Sequence, residues 1–203
     1  MTDKSFQEIY ENAKKAHKVS NFEESEKLFA EAYALEPNNA TLLYNYGNLM
    51  SDLERYEDAA KLYKQSIELD DTVSSVHYNL GNTYIDLEKW NDAISCFVRA
   101  LALKPNFIQA KFNLAITLEH STQVNKALEL YDELIKDNPD FHQAYYNIAC
   151  IHARHLKVDK AVKALKTAIA KQGDDIDYRY ECGKDIDFDD IRNMKQFRDL
   201  IRS

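Results

Sequence analysis

Along most of the chain apolar residues fall at helical spacing, and the runs they form are broken at near-regular intervals. One set of breaks reads "VSNFEE", "LERYED", "LEKWND", "STQVNK" and "HLKVDK". A second set follows the amphipathic runs "FAEAYALEP", "FVRALALKP" and "YDELIKDNP". Two helices separated by a short turn, then a sharper stop, are the unit this pattern predicts. The stretch "HYNLGNTY" (77–84) shows the unit's length, because its outline returns as "LYNYGNLM" (43–50), "KFNLAITL" (111–118) and "YYNIACIH" (145–152), each step being 34 residues. A fixed period of this size is the signature of a repeat architecture.

Rare residues obey the same period. Pro37, Pro105 and Pro139 share one phase, with Asp71 at the vacant step, and each proline follows a run that a residue lacking an amide hydrogen cannot continue as helix. Ala13, Gly47, Gly81, Ala115, Ala149 and Gly183 hold a second phase of small residues, where two helices are expected to approach closely. Ser25, Ala59, Ala93, Ala127 and Ala161 hold a third, with Phe29, Tyr63, Phe97, Tyr131 and Leu165 four residues later on the same helical face. Ala32, Ser66, Ala100, Leu134 and Ala168 hold a fourth.

These four phases resemble the tetratricopeptide repeat, a helix–turn–helix unit of about 34 residues with a small residue in its first helix, an alanine and an aromatic in its second, and a closing proline. The resemblance implies an all-α fold, a right-handed α-solenoid of five helical hairpins over 6–39, 40–73, 74–107, 108–141 and 142–175, preceded by a short lead at 1–5. Residues 176–203 are expected to form a partial sixth repeat and a capping helix, with Phe188, Ile191, Phe197, Leu200 and Ile201 closing over the fifth repeat as a lid. At the other end, Ser5 followed by Glu8 has the form of a capping box.

Composition agrees with an all-α chain: 203 residues, 45% hydrophobic, with four glycines and three prolines, too few for the turns of a β-sandwich or barrel. A formal net charge of −8 argues against a phosphate-tracking surface, so nucleic acid is not an expected partner. The opening "MTDKSFQEIY" has no apolar signal-peptide run, and no later stretch is apolar enough to span a bilayer. Cys96, Cys150 and Cys182 are widely spaced with no CxxC pair, as expected of free thiols in a reducing compartment, and a cytoplasmic location follows as an expectation.

Candidate chemistry is sparse. No phosphate-cradling loop, nucleophile elbow, HExxH or dinucleotide fingerprint occurs, so neither an enzyme nor a cofactor is expected. Cys150, His152 and His155 in "CIHARH" are the nearest approach to a metal set, but no second histidine pair matches them. Asp185, Asp187, Asp189 and Asp190 lack the glycine and glutamate that an EF-hand loop places at its sixth and twelfth positions, where this chain has Asp190 and Gln196. No metal site is expected.

What remains is the groove that the first helices of such a solenoid line. The aromatic–Asn pairs Tyr44–Asn45, Tyr78–Asn79, Phe112–Asn113 and Tyr146–Asn147, with Asn48 and Asn82, are implied by the resemblance to sit on that face. An asparagine amide both donates and accepts, so a ladder of them suits a peptide backbone; it equally suits tying neighbouring helices together. The chaperone-binding members hold a terminal carboxylate with Lys and Arg, whereas the comparable positions here carry Tyr, Phe and Asn. Basic residues gather instead at the groove ends, Lys14 and Lys18, and Arg154 with His155, which would suit a partner with acidic ends. The expected function is a protein-interaction adaptor holding a peptide or helical segment in the concave groove. The alternative is a self-associating scaffold, a homo-oligomer in which the tail helix docks into another copy.

Overall fold

The computed structural model describes residues 5–174 and 176–202. The expected lead, Ser5 apart, and the repeat boundary at 175 lie outside the described residues. Ten long helices follow one another: α1 (Phe6–Lys18), α2 (Phe22–Leu35), α3 (Ala40–Asp52), α4 (Tyr56–Leu69), α5 (Ser74–Asp86), α6 (Trp90–Leu103), α7 (Ile108–His120), α8 (Val124–Asp137), α9 (His142–Arg154) and α10 (Val158–Lys171). Shorter pieces close the chain: α11 (Tyr178–Lys184), a 3₁₀ segment (Ile186–Ile191) and α12 (Lys195–Arg202). Among the described residues there is no strand. The helices pair as consecutive hairpins, and the chain divides into two compact units, residues 1–117 and 118–203.

The turn inside each hairpin has the same geometry. Ser20, Glu54, Glu88, Thr122 and Leu156, again 34 residues apart, have φ between 55° and 65°, the left-handed conformation that ends a helix. The next residue's amide reaches back five positions in every case: Asn21 to the Ala16 carbonyl, Arg55 to Met50, Lys89 to Tyr84, Gln123 to Leu118 and Lys157 to His152, at 2.8–2.9 Å. This is the Schellman closure, built five times without a glycine.

In the first unit the hairpins α1/α2, α3/α4 and α5/α6 are each zipped by a second-helix aromatic. Phe29, Tyr63 and Phe97 are fully buried, each worth roughly 2–3 kcal/mol of apolar burial. Gly47 and Gly81 are where those rings lie: a Cβ on Gly47 would come 2.7 Å from the Tyr63 ring, and one on Gly81 2.7 Å from the Phe97 ring. The small residue therefore admits an aromatic ring, more specifically than the close helix approach its phase predicts. Gly183 departs from that expectation, since a Cβ there would meet nothing within 4 Å; no register-matched second helix follows it to supply a ring. Serines in the small-residue phases bond across the hairpins, Ser25 Oγ to the Ala13 carbonyl at 3.0 Å and Ser66 Oγ to the Ala40 carbonyl at 2.8 Å.

The helix ends follow local rules. Ser5 Oγ accepts the Glu8 amide hydrogen at 3.3 Å, as the first half of a capping box requires. Where the second repeat lacks its proline, Asp70 Oδ1 accepts from the Thr72 amide and hydroxyl, making an Asx turn that redirects the chain equally well.

In the second unit α9 and α10 pair, and the tail covers them. Tyr178, Cys182, Phe188, Ile191 and Phe197 are buried in one cluster with Ala149, Ala153, Leu165 and Ile169, with Leu200 and Ile201 packed at its margin. The lid expected over this hairpin is present, but as two pieces. The 3₁₀ segment lies against α9 and α12 against α10.

Candidate functional site

The first helices of the first unit carry a linked row of hydroxyls and amides. Asn79 on α5 donates through Nδ2 to the Tyr44 hydroxyl at 3.3 Å and to Asn48 Oδ1 at 2.8 Å, both on α3. One repeat later Asn113 on α7 repeats the geometry with the Tyr78 hydroxyl at 3.3 Å and Asn82 Oδ1 at 2.8 Å. Asn45 donates to the Tyr10 hydroxyl at 2.6 Å and to the Thr41 carbonyl at 2.9 Å. The buried Tyr63 hydroxyl adds a second hydrogen to Asn48 Oδ1 at 2.7 Å, and burial holds that phenol far above its usual pKa. Of the two roles open to the ladder, these bonds supply the helix-tying one: the amide hydrogens of Asn79 and Asn113 are used within the chain.

The same side chains border a polar hollow of about 220 Å³, lined by Asn48, Ser51, Asp52, Tyr63, Asn79 and Asn82. Asp52 Oδ2 is 2.6 Å from His17 Nε2 on α1. Lys14, expected as a groove-end cation, pairs with Glu11 Oε1 at 2.8 Å and lies 4.6 Å over the Tyr10 ring.

In the second unit the corresponding residues make different contacts. Asn147 Nδ2 donates to the Tyr131 hydroxyl on α8 at 3.0 Å. Tyr146 donates its hydroxyl to Asp185 Oδ2 at 2.8 Å and stacks on Tyr178 with ring centroids 4.6 Å apart. Cys150 Sγ reaches the same Asp185 oxygen at 3.7 Å, and Asp185 Oδ1 accepts the Asp187 amide. Burial and the two aspartates push the Cys150 thiol well above its ordinary pKa, so it is a poor nucleophile. Burial likewise pushes Cys96 up to about 12 and Cys182 up to about 11.

Cys150, Asp185 and Asp187 are the one group of three potential metal ligands that converges among the described residues, with ligand atoms within 4.8 Å. The group is already satisfied from within, because Arg154 donates to Asp187 Oδ2 at 2.8 Å and Tyr146 and Cys150 donate to Asp185. The thiol faces these carboxylates rather than histidines. His155 is the residue capping the C-terminus of α9, and His152 Nδ1 is buried with no partner among the described residues, its pKa lowered by burial. Arg154, expected as a groove-end cation, is held by Glu119 and Asp187. Asp185 was beyond the reach of periodicity, since its 39-residue separation from Tyr146 departs from the repeat step.

Comparison with known proteins agrees with this architecture. Tetratricopeptide repeat family models match residues 16–80, 74–107 and 112–176. The chain belongs to the tetratricopeptide repeat family. Among solved structures it is similar to MamA, at 26% identity over 78% of this chain and 93% of that one, with a TM-score of 0.75. It also shares the fold of YrrB, described as a TPR protein with an unusual peptide-binding site, at 24% identity over 84% and 88% of the two chains and a TM-score of 0.74. An O-GlcNAc transferase from Thermobaculum terrenum matches over 65% of this chain and 26% of its own length, at 24% identity and a TM-score of 0.58. A search of the curated proteins found no match. Proteins of this family are in general non-catalytic interaction modules, and their partners are proteins. No helix among the described residues is long and apolar enough to cross a membrane.

Proposed function

We propose that this protein is an adaptor whose first-helix face, in residues 1–117, holds an extended segment of a partner protein. The polar hollow formed by Asn48, Ser51, Asp52, Tyr63, Asn79 and Asn82 carries this reading. The Asn79 and Asn113 hydrogens are consumed in bracing α3, α5 and α7, so the ladder acts as the frame of the site. The groups left to meet a ligand are the amides of Asn48 and Asn82, the Ser51 hydroxyl and the Asp52 carboxylate. Groups fixed in place before a ligand arrives lose less freedom on binding it. The test is affinity capture with mass spectrometry using wild type and Ser51→Arg. Ser51 gives no side-chain bond to the ladder, so the arginine fills the hollow and leaves the frame intact. A protein retained by wild type and lost from the variant, at matched helicity and melting temperature, supports the reading. Equal capture by both removes the hollow as the binding element.

A second reading, self-association as an assembly scaffold, is favoured by one observation. The tail exposes Ile186 (79%), Tyr180 (57%) and Met194 (43%) while burying Tyr178, Cys182, Phe188, Ile191 and Phe197. Sedimentation over a hundredfold concentration range decides it: a mass fixed at 23.6 kDa ends this reading. A multiple of that mass, abolished by Ile186→Asp, upholds it.

A further inference from the structure

The last turns of the first helices differ in sign along the chain. α1 ends with Lys15, His17 and Lys18, α7 with His120, and α9 with His152 and Arg154. Bases at these places complement the negative end of the helix dipole. α3 and α5 have no base in the last turn and end instead on Asp52 and Asp86. Each aspartate stands four residues after an amide of the hollow's row, Asn48 before Asp52 and Asn82 before Asp86, so each pair shares one helix face. The flanking repeats place Lys14 and Lys18, Ile116 and His120, or Cys150 and Arg154 in the same register. A locally unfavourable acid, placed twice on successive first helices, once in the lining of the polar hollow and once a turn beyond Asn82 at its edge, breaks a rule where a site would break it.

Among the described residues neither carboxylate pairs with a lysine or arginine. Asp52 pairs with His17, and its side chain remains 56% exposed. Asp86 makes no ion pair among the described residues, and burial alone raises its pKa. A metal ion does not fit, because neither aspartate belongs to any group of three converging ligands among the described residues. A long cationic side chain needs only one carboxylate with a neighbouring acceptor, which the Ser51 hydroxyl supplies beside Asp52 and Asn82 Oδ1, holding a single hydrogen from Asn113, supplies one turn before Asp86.

We infer that the segment held on this face is basic, and that Asp52 with Ser51, and Asp86 with Asn82, each receive a Lys or Arg side chain of the partner. This rests on the groove reading above and reverses the charge that the lysines of the first helix would suggest for a partner.

The experiment is selection of a random dodecapeptide phage library on wild type and on Asp52→Asn/Asp86→Asn, an isosteric pair that keeps the hydrogen-bonding shape. The expected result is Lys and Arg enriched in peptides selected by wild type, and loss of that enrichment on the variant. For the best synthetic peptide, fluorescence anisotropy should give at least tenfold weaker binding to the variant. Replacing the peptide's own basic residues by methionine should give a similar loss on wild type, independent of how the variant folds. Peptides selected without basic enrichment, or basic peptides bound equally by the variant, overturn the inference and leave the groove reading standing. Selection of no peptide by wild type, or of peptides that bind Ser51→Arg undiminished, overturns the groove reading and the inference together.

Discussion

At the scale of single residues, identity matters where a contact or a dihedral demands it. Gly81→Ala sets a methyl 2.7 Å from the buried Phe97 ring. Even after alanine's helix preference is credited, the protein should lose about 1–2 kcal/mol in urea unfolding. Gly183→Ala meets open space and should be neutral or gain up to about 1 kcal/mol. Thr122 is the β-branched member of the five left-handed turn residues, so Thr122→Gly should stabilise by about 1 kcal/mol in the same measurement. Asp86→Asn relieves the clash with its helix terminus and should raise stability by about 0.3–1 kcal/mol at neutral pH. The sign with pH follows from the raised carboxyl pKa in the fold. Ionised Asp86 weakens the fold above that pKa, the penalty fades as pH falls towards the ordinary aspartate range, and the advantage of asparagine should vanish there. The glycine and proline phases were legible in the sequence because each answers one steric need. The left-handed turns were not, because four different non-glycine side chains occupy the five positions and the closing hydrogen bonds set the shape.

Helices are joined by side-chain links whose spacing is informative. The ladder recurs at 35 and 31 residues, Tyr44 and Asn48 to Asn79, then Tyr78 and Asn82 to Asn113. Its existence was therefore visible as a period in the chain, but its direction was not: a repeating asparagine looks the same whether its hydrogens face a neighbour or a ligand. Asn113→Ala should cost about 1–3 kcal/mol by leaving the half-buried Asn82 and Tyr78 without their donor. In the second unit Asp185 gathers Tyr146, Cys150 and the Asp187 amide and caps the 3₁₀ segment. Asp185→Ala should cost about 1–3 kcal/mol and make the tail the first site cut in limited proteolysis, since it strips both a cap and a half-buried acceptor. The joint hold of Asp185 and Asp187 on α9 was not legible in the sequence, because it crosses the repeat step.

For the whole molecule, a repeat array derives stability from each unit and its neighbours, and its last exposed face has to be covered. Residues 176–202 do this for α9 and α10 through Phe188, Ile191 and Phe197, all fully buried. Ending the chain at Gly173 should remove roughly 5 kcal/mol of apolar burial and give strong binding of a hydrophobic dye with a broadened thermal transition. The all-α class and the hairpin order could be read from the sequence before any coordinates, because a 34-residue period leaves few other ways to bury each apolar face. The chemistry of the partner was less accessible. It depends on which of many charges find a mate, and the pairing of Arg154 with Glu119 and Asp187, or Lys14 with Glu11, becomes evident only in three dimensions.

The separation of Tyr146 from Asp185, 39 residues where the ladder uses 35, also bears on how such a gene can lengthen. Duplication of one 34-residue segment among the ladder's repeats reproduces the 35-residue amide-to-hydroxyl spacing across the new junction. A segment copied between Asn147 and Asp185 would hand Tyr146 an asparagine neighbour and pass the aspartate to the new last repeat, leaving the ending unchanged. The contacts that seat the tail on α9 and α10 are thus independent of how many repeats precede that hairpin.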